Sequence, residues 1–369
     1  MKIIIDNSNL NAGGGLQVGL SFLNDLKELN SDDLYYIIQS PNISKQIEKK
    51  HFPENFIFYD IKDSDYKKIL KRINITKKIE AEVEPNCIFT VFGPSYHKSN
   101  YPKIVGFALG QILYLDSPFY KKINFFLKTK ILLISFIKSF FFKKNSNILI
   151  YETDDANSIY SKRNNYKIKG YTVNNTLNSI FNSPSVWKEI KVLKSSFNII
   201  YLTANYPHKN LDIIPKVIDE ILKIGKIESF KFNLSVSKDE LEFDDKYDKY
   251  INYLGKIQIE QVPHLYQQMD ILFMPTLLEV FSTTYLEAMA SKIPIVTSDL
   301  SFARDICNDA ALFCSPLDSK EYADAIVKVY TNHKLKENLI IKGAENLQRF
   351  GNSMDRTLKY LDIIKKYAT

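Results

Sequence analysis

Twice along this chain of 369 residues, a short run rich in Ile, Phe or Tyr is followed by a helical pattern, and the alternation then repeats. The first set has strands at 2–6, 34–38, 56–59, 87–92, 103–108 and 147–151, with helices at 15–29, 43–50 and 66–73. The second opens with the strand 197–202 and the helix 211–224, then strands at 230–236 and 251–254 and a helix at 261–268. Strands at 270–275, 293–298 and 312–314 and a helix at 319–330 complete it. Strand–helix alternation predicts a mostly parallel sheet covered on both faces. Two such sets in a chain of this length predict an α/β protein of two doubly wound, Rossmann-like domains. The boundaries fall at 1–184 and 195–350, with the join near 184–194.

A hydrophobic content of 45% with 25% charged residues suffices for two ordinary cores. The three cysteines, Cys87, Cys307 and Cys314, are odd in number and lack metal-ligand spacing. They read as reduced, buried cysteines of a cytoplasmic protein. Met1–Asp6 begins directly as a strand, and no secretory leader is expected.

The net charge of +7 is concentrated in one place. Residues 119–144 hold seven lysines (121, 122, 128, 130, 138, 143 and 144) and no acid, so the rest of the chain sums to zero. Phe, Ile and Leu lie between them, with 123, 126, 127, 131, 134, 137 and 141 on one helical face. The longest uncharged stretch is seven residues, too short for the ~20 that a spanning helix needs. Apolar side chains with a basic fringe suit a helix lying on an anionic membrane surface. Lysines so diluted do not resemble a phosphate-tracking stripe, and no nucleic-acid partner is expected. A core helix whose lysines reach solvent is the other reading.

The chemistry concentrates in Pro275–Ala290, where Glu279 and Glu287 stand eight residues apart between two strands. Backbone N–H groups at the helix start, Ser282, Thr283 and Thr284, favour an anionic phosphate. Carboxylates on either side can accept hydrogen bonds from sugar hydroxyls, which points to a nucleotide-sugar. Thr284 and Glu287 also fit a capping box, in which Glu287 only satisfies helix-start N–H groups. Lys209, in the first strand–helix turn of the second set, can reach a diphosphate with a flexible ammonium. Gly13, Gly14 and Gly15 follow the first strand and permit close backbone approach to a bound group. They match neither the dinucleotide fingerprint nor a Walker loop.

The two acids resemble the Glu-x7-Glu motif of the family 4 retaining glycosyltransferases, which have the GT-B fold of two Rossmann-like domains and an interdomain cleft. The resemblance implies transfer of a hexosyl group from a nucleotide-sugar to an acceptor hydroxyl, with retention of configuration and with neither a cofactor nor a metal. It implies that Lys209 stabilises the leaving diphosphate, that Glu279 holds the donor sugar and that Glu287 holds the ribose. Gly255, Lys256 and Ile257 would cup the base. Gly13, Gly14, Gly15 and His97 would lie on the cleft or acceptor side, and a last helix at 353–369 would cross back to the first domain. The chain departs from the family's pattern in two turns. Val280-Phe281-Ser282 replaces a glycine-containing turn, and Ala204 or Asn205 stands where an Arg is frequent, leaving Asn205 and Phe281 as donor-side candidates. With the basic segment, the resemblance implies a lipid-linked saccharide acceptor, bacterial O-antigen, lipopolysaccharide or other surface polysaccharide synthesis, and peripheral attachment to the cytoplasmic face of the plasma membrane. The alternative is a non-catalytic, GT-B-like nucleotide-binding protein at the membrane.

Overall fold

A computed structural model describes residues 1–193 and 195–368. Lys194, at the end of the expected join, and Thr369, at the end of the expected last helix, lie outside the described residues. The chain forms two compact units that are not contiguous in sequence. One comprises residues 1–113, 129–175 and 352–369, and the other 114–128 and 176–351.

The first unit is built on seven parallel strands: β1 (Lys2–Asn7), β2 (Leu34–Gln39), β3 (Phe56–Asp60), β4 (Cys87–Thr90), β5 (Lys103–Phe107), β6 (Ile148–Tyr151) and β7 (Lys169–Thr172). Their order is β3-β2-β1-β4-β5-β6-β7. Because side chains alternate along a strand, the Ile3-Ile4-Ile5 run of β1 feeds both faces. Ile3 and Ile5 pack with Phe22, Leu23, Phe89 and Tyr360, while Ile4 packs with Ile38, Ile79, Val83 and Ile88. The last helix, Ser353–Tyr367, belongs to this unit. Its Tyr360 meets Phe22 and Phe89 at 5.6 and 5.2 Å, and Arg356 bonds Asn175 and Ser21. β7 and the helix before it, Asp154–Arg163, were not read from sequence. Lys-Gly-Tyr-Thr is a half-exposed edge strand without an apolar run, and Gly170 is needed because a Cβ there would lie 2.4 Å from Asn157 Oδ1.

The second unit has six parallel strands: β8 (Phe197–Tyr201), β9 (Phe230–Leu234), β10 (Ile251–Tyr253), β11 (Ile271–Met274), β12 (Ile295–Ser298) and β13 (Ala311–Cys314). The order is β10-β9-β8-β11-β12-β13. In this unit the chain leaves β8 on one side for β9 and β10, and on the other for β11 to β13. In the first unit it diverges in the same way between β1 and β4. Such switch points, at the carboxyl ends of the strands, are where open α/β sheets receive ligands.

The basic segment divides in two. Phe119–Lys122 is one helical turn whose Phe119 and Tyr120 are buried, so this part is packing rather than free surface. The helix Phe125–Asn145 follows, with Ser135, Phe142 and Asn145 buried. Its Phe125, Phe126, Phe136 and Phe140 are 79, 89, 72 and 50% exposed, whereas Lys138 is half-buried and its ammonium is held below the ordinary lysine value by burial. Among the described residues, no helix is long and apolar enough to cross a membrane. The three cysteines are free and buried, and burial pushes the thiols of Cys87 and Cys314 up to about 12.

Candidate active site in the second unit

Two loops leave the carboxyl ends of β8 and β11 at the switch point. The first ends in a turn of 3-10 helix, Pro207–Lys209, and the second runs through Pro275–Ser282 to the helix Thr283–Ala290. They are cross-linked by their backbones: Leu277 N–H donates to the His208 carbonyl at 2.8 Å, and Thr276 Oγ1 lies 3.3 Å from that same oxygen. Tyr201, fully buried at the end of β8, donates its hydroxyl to the Lys209 carbonyl at 2.9 Å. Asn210 closes the first loop in the left-handed region, at φ +58°. Its amide donates to the carbonyls of Pro275 and Pro316, each at 3.1 Å.

This scaffold brings Lys209 and Glu279 together. The Lys209 ammonium bonds Glu279 Oε1, which Thr276 Oγ1 also approaches to 3.1 Å. Both side chains are largely but not fully covered, at 17 and 14% exposure. His208, beside them, is held below the ordinary histidine value by burial and by the Lys209 charge, against the pull of Glu279.

Glu287 takes a different environment from the one a capping box requires. It lies in the second turn of its helix, whose N-cap Ser282 makes no side-chain cap bond. Its carboxylate instead accepts from the Tyr266 hydroxyl at 3.2 Å. Burial raises its pKa to about 7, against the hydrogen bonds from Tyr266 and Thr283. The missing glycine after Glu279 leaves no strain, since no residue from 279 to 282 takes a positive φ. Val280 is buried, and Phe281 sets its ring edge-on to Phe350 at 5.7 Å. The turn is thus pinned by packing where glycine would have left it freer.

The remaining candidates on this unit are spread along the same sheet edge. Gly255 follows β10 at φ +64° with open space where a Cβ would be, and Lys256 beside it is exposed. Asn205 turns its amide to the Glu240 carbonyl. On the first unit, Gly13–Gly15 form the opening turn of the helix Gly13–Lys27 after β1. Gly13 and Gly14 are exposed, with no atom within 4 Å of a built Cβ. His97 is buried, its Nε2 within 2.8 Å of Glu80 and 3.2 Å of Lys103 Nζ. Asp154 and Asp155 open a helix capped by Thr153. Among the described residues, no group of three or more His, Cys, Asp or Glu is placed to hold a metal ion. Sequence reasoning missed Tyr201, Asn210, Tyr266 and Thr276, whose partners lie far away in the sequence or are backbone carbonyls.

The comparisons with known proteins bear on the same region. Residues 196–332 match the family model described as glycosyl transferases group 1. The O-antigen chain mannosyltransferase RfbU of Salmonella typhimurium is 24% identical over 181 residues, 43% of this chain and 49% of that protein. A probable sucrose-phosphate synthase of Vicia faba is 26% identical over 192 residues, 45% of this chain and 18% of that protein. The matches thus span about half the length of the first relative and under a fifth of the second. Among solved structures, sucrose-phosphate synthase from Thermosynechococcus elongatus superposes with a TM-score of 0.70 at 14% identity, covering 99% of this chain and 98% of that one. Anabaena Alr3699/HepE in complex with UDP superposes at 0.68 and 11% identity, covering 99% of each chain. Residues 196–332 are thus similar to the glycosyl transferases group 1, and the chain has the GT-B fold.

Proposed function

We propose that this protein transfers a hexosyl group from a nucleoside-diphosphate sugar to a saccharide hydroxyl, with retention of configuration. The observation that carries the reading is the Lys209–Glu279 pair, held by two cross-linked loops at the switch point, beside the start of the helix Thr283–Ala290. A diphosphate there meets an ammonium and helix-start amides, both of which stabilise the charge that develops as the glycosidic bond breaks. Glu279 receives hydroxyls of the donor sugar, and Glu287, with Thr283 at its side, receives the ribose. Gly255, Lys256 and Ile257 face the base, while the open glycine turn Gly13–Gly15 serves the acceptor. His97 is left out of the reading because its ring is enclosed by Glu80 and Lys103. Charge neutralisation falls to Lys209 and the helix start, so transfer is expected to proceed in the presence of a chelator.

The acceptor in this reading is lipid-linked, in the synthesis of an O-antigen or other bacterial surface polysaccharide. Two observations support it. Relatives in this family include proteins named O-antigen chain mannosyltransferases, at 24 and 27% identity. The helix Phe125–Asn145 also holds bulky apolar side chains in solvent among lysines, as a helix resting on an anionic leaflet does. UDP and UDP-glucose are the ligands named for the Anabaena neighbour, so uridine nucleotides head the test. The experiment is a thermal-shift panel of UDP, GDP and dTDP, since a ligand of the native state raises its stability. One diphosphate should raise the melting temperature, and do so less in Lys209→Ala. No shift with any of the three would overturn the donor assignment.

A further inference from the structure

The residues 114–128 come from the first half of the sequence yet pack within the second unit, and they do so on the two site loops. Ser117, 5% exposed, donates its hydroxyl to the Leu277 carbonyl at 2.6 Å. Phe119 sets its ring edge-on to that of His208 at 6.1 Å. Lys122 places its ammonium against both Asn210 Oδ1 and Asp212 Oδ1.

These contacts fall at telling positions. Leu277 is the residue whose N–H ties the second loop to the carbonyl of His208, so Ser117 secures the far side of that same peptide pair. Asn210 is the buried left-handed residue whose amide holds Pro275 and Pro316. Asn enters that conformation more readily than other non-glycine residues, so the exact course of the turn is set by what holds its side-chain amide. Lys122 fixes it by occupying the amide oxygen while the amide nitrogen is spent on the two carbonyls. Lys209 stands between His208 and Asn210, and Glu279 stands two residues beyond Leu277. The segment therefore grips both loops immediately beside the paired ammonium and carboxylate, and none of its side chains need touch a ligand to do so.

We infer that Ser117 and Lys122 are positioning residues that hold Lys209 and Glu279 where they meet the donor's diphosphate. The inference rests on the donor-site reading of those two residues. Small displacements at such a site are expensive, because an ammonium serves a phosphate only at hydrogen-bonding distance and in the right direction.

The experiment measures, by calorimetry, the affinity of the intact protein for UDP and for UMP, with GDP and GMP in parallel. The readout is the ratio of monophosphate to diphosphate dissociation constants. That ratio isolates the terminal phosphate, and a general loss of folded protein leaves it unchanged. Lys209→Ala should collapse the ratio. Ser117→Ala and Lys122→Met should each lower it by about tenfold, the loss of one well-placed charge-assisted contact, while Lys122→Arg keeps it. Lys122 lies at the surface against the mostly exposed Asp212, so its variants fold even if Ser117→Ala does not. An unchanged ratio in Lys122→Met, with Lys209→Ala collapsed, overturns the positioning role alone. An unchanged ratio in Lys209→Ala overturns the donor-site reading and the positioning role with it.

Discussion

Two acid–base clusters in this chain use nearly the same residue types to opposite ends. In the first unit, Lys103 is 1% exposed and gives its ammonium to Ser95 Oγ, the His97 carbonyl and the His97 ring. Glu80 is engaged at both oxygens, by Ser99 and by His97. In the second unit, Lys209 and Glu279 are bound to each other but keep some solvent contact. The placement differs as much as the burial. Lys103 is the first residue of β5, at the amino end of a strand, whereas Lys209 and Glu279 follow the carboxyl ends of β8 and β11. Helix starts gather at the carboxyl edge of a parallel sheet, so charges there face a field that attracts anions. Lys103 instead spends its ammonium on buried neighbours, Ser95 and His97, with the charges of Glu80 and Asp6 nearby.

The comparison is most exposed to failure in the buried cluster. Burial holds Lys103 down to about 8 despite the charges of Glu80 and Asp6. For Glu80 the cost of burial is more than offset by hydrogen bonds from His97 and Ser99 and by the Lys103 charge, which together keep its carboxyl below the usual range. Removing one member of such a buried group leaves the others uncompensated, at a cost of about 3–5 kcal/mol. Lys103→Met should therefore lower stability by roughly that amount in denaturant titration, while transfer per folded molecule is unchanged. A rate loss in that variant without a stability loss would reverse the roles of the two clusters.

Lys209→Ala should do the opposite. Transfer should fall by about 10²-fold or more, worth about 2.7 kcal/mol in the barrier, while the melting temperature falls less than in Lys103→Met because the pair keeps some solvent contact. Steady-state kinetics beside a melting curve would check both halves, and a variant that melts early yet turns over normally would break the contrast.

The smallest and sharpest effect concerns Glu287. Its pKa in the folded protein, about 7, exceeds the ordinary 4.5 because of burial. The stability linked to this group is then fully present below pH 4.5 and is lost as pH rises through 7, since the folded state holds the proton longer than the unfolded one. Glu287→Gln should remove that slope and melt above the wild type at pH 8. In the wild type, UDP should bind more tightly as pH rises from 6 to 8, because a ribose hydroxyl donates best to the charged carboxylate. A wild-type affinity flat across that range would detach Glu287 from the ribose.

The central strands were legible because each carries a run such as Ile3-Ile4-Ile5 or Ile199-Ile200-Tyr201 that only a sheet covered on both sides can bury. β7, at the edge, carries none. The helices Ser301–Cys307 and His333–Leu347 were also unread, while the expected helix at 43–50 shrank to the turn Pro41–Ser44 and a turn of 3-10 helix at Lys49–His51. At the candidate site, Lys209, Glu279, Glu287 and the helix start stand out through local spacing in a strand–turn–helix context, and the structure brings Lys209 and Glu279 together. Their supports do not stand out. Ser117 and Leu277 are 160 residues apart and Lys122 and Asn210 are 88, and no periodicity encodes such pairings. The basic segment shows the same limit: its charge was plain, but the pattern could not tell that Phe119 would be buried and Phe125 and Phe136 left outside.

The enclosed cysteines make the molecule a convenient host for site-directed probes. With the Cys87 and Cys314 thiols held near 12 and Cys307 wholly buried and raised further, none offers a thiolate to a maleimide or a spin label at neutral pH. A single cysteine introduced at Phe126 or Phe136 would then be the only reactive sulfur. A fluorophore attached there would report whether that helix leaves water when vesicles are added, without a background from the native chain.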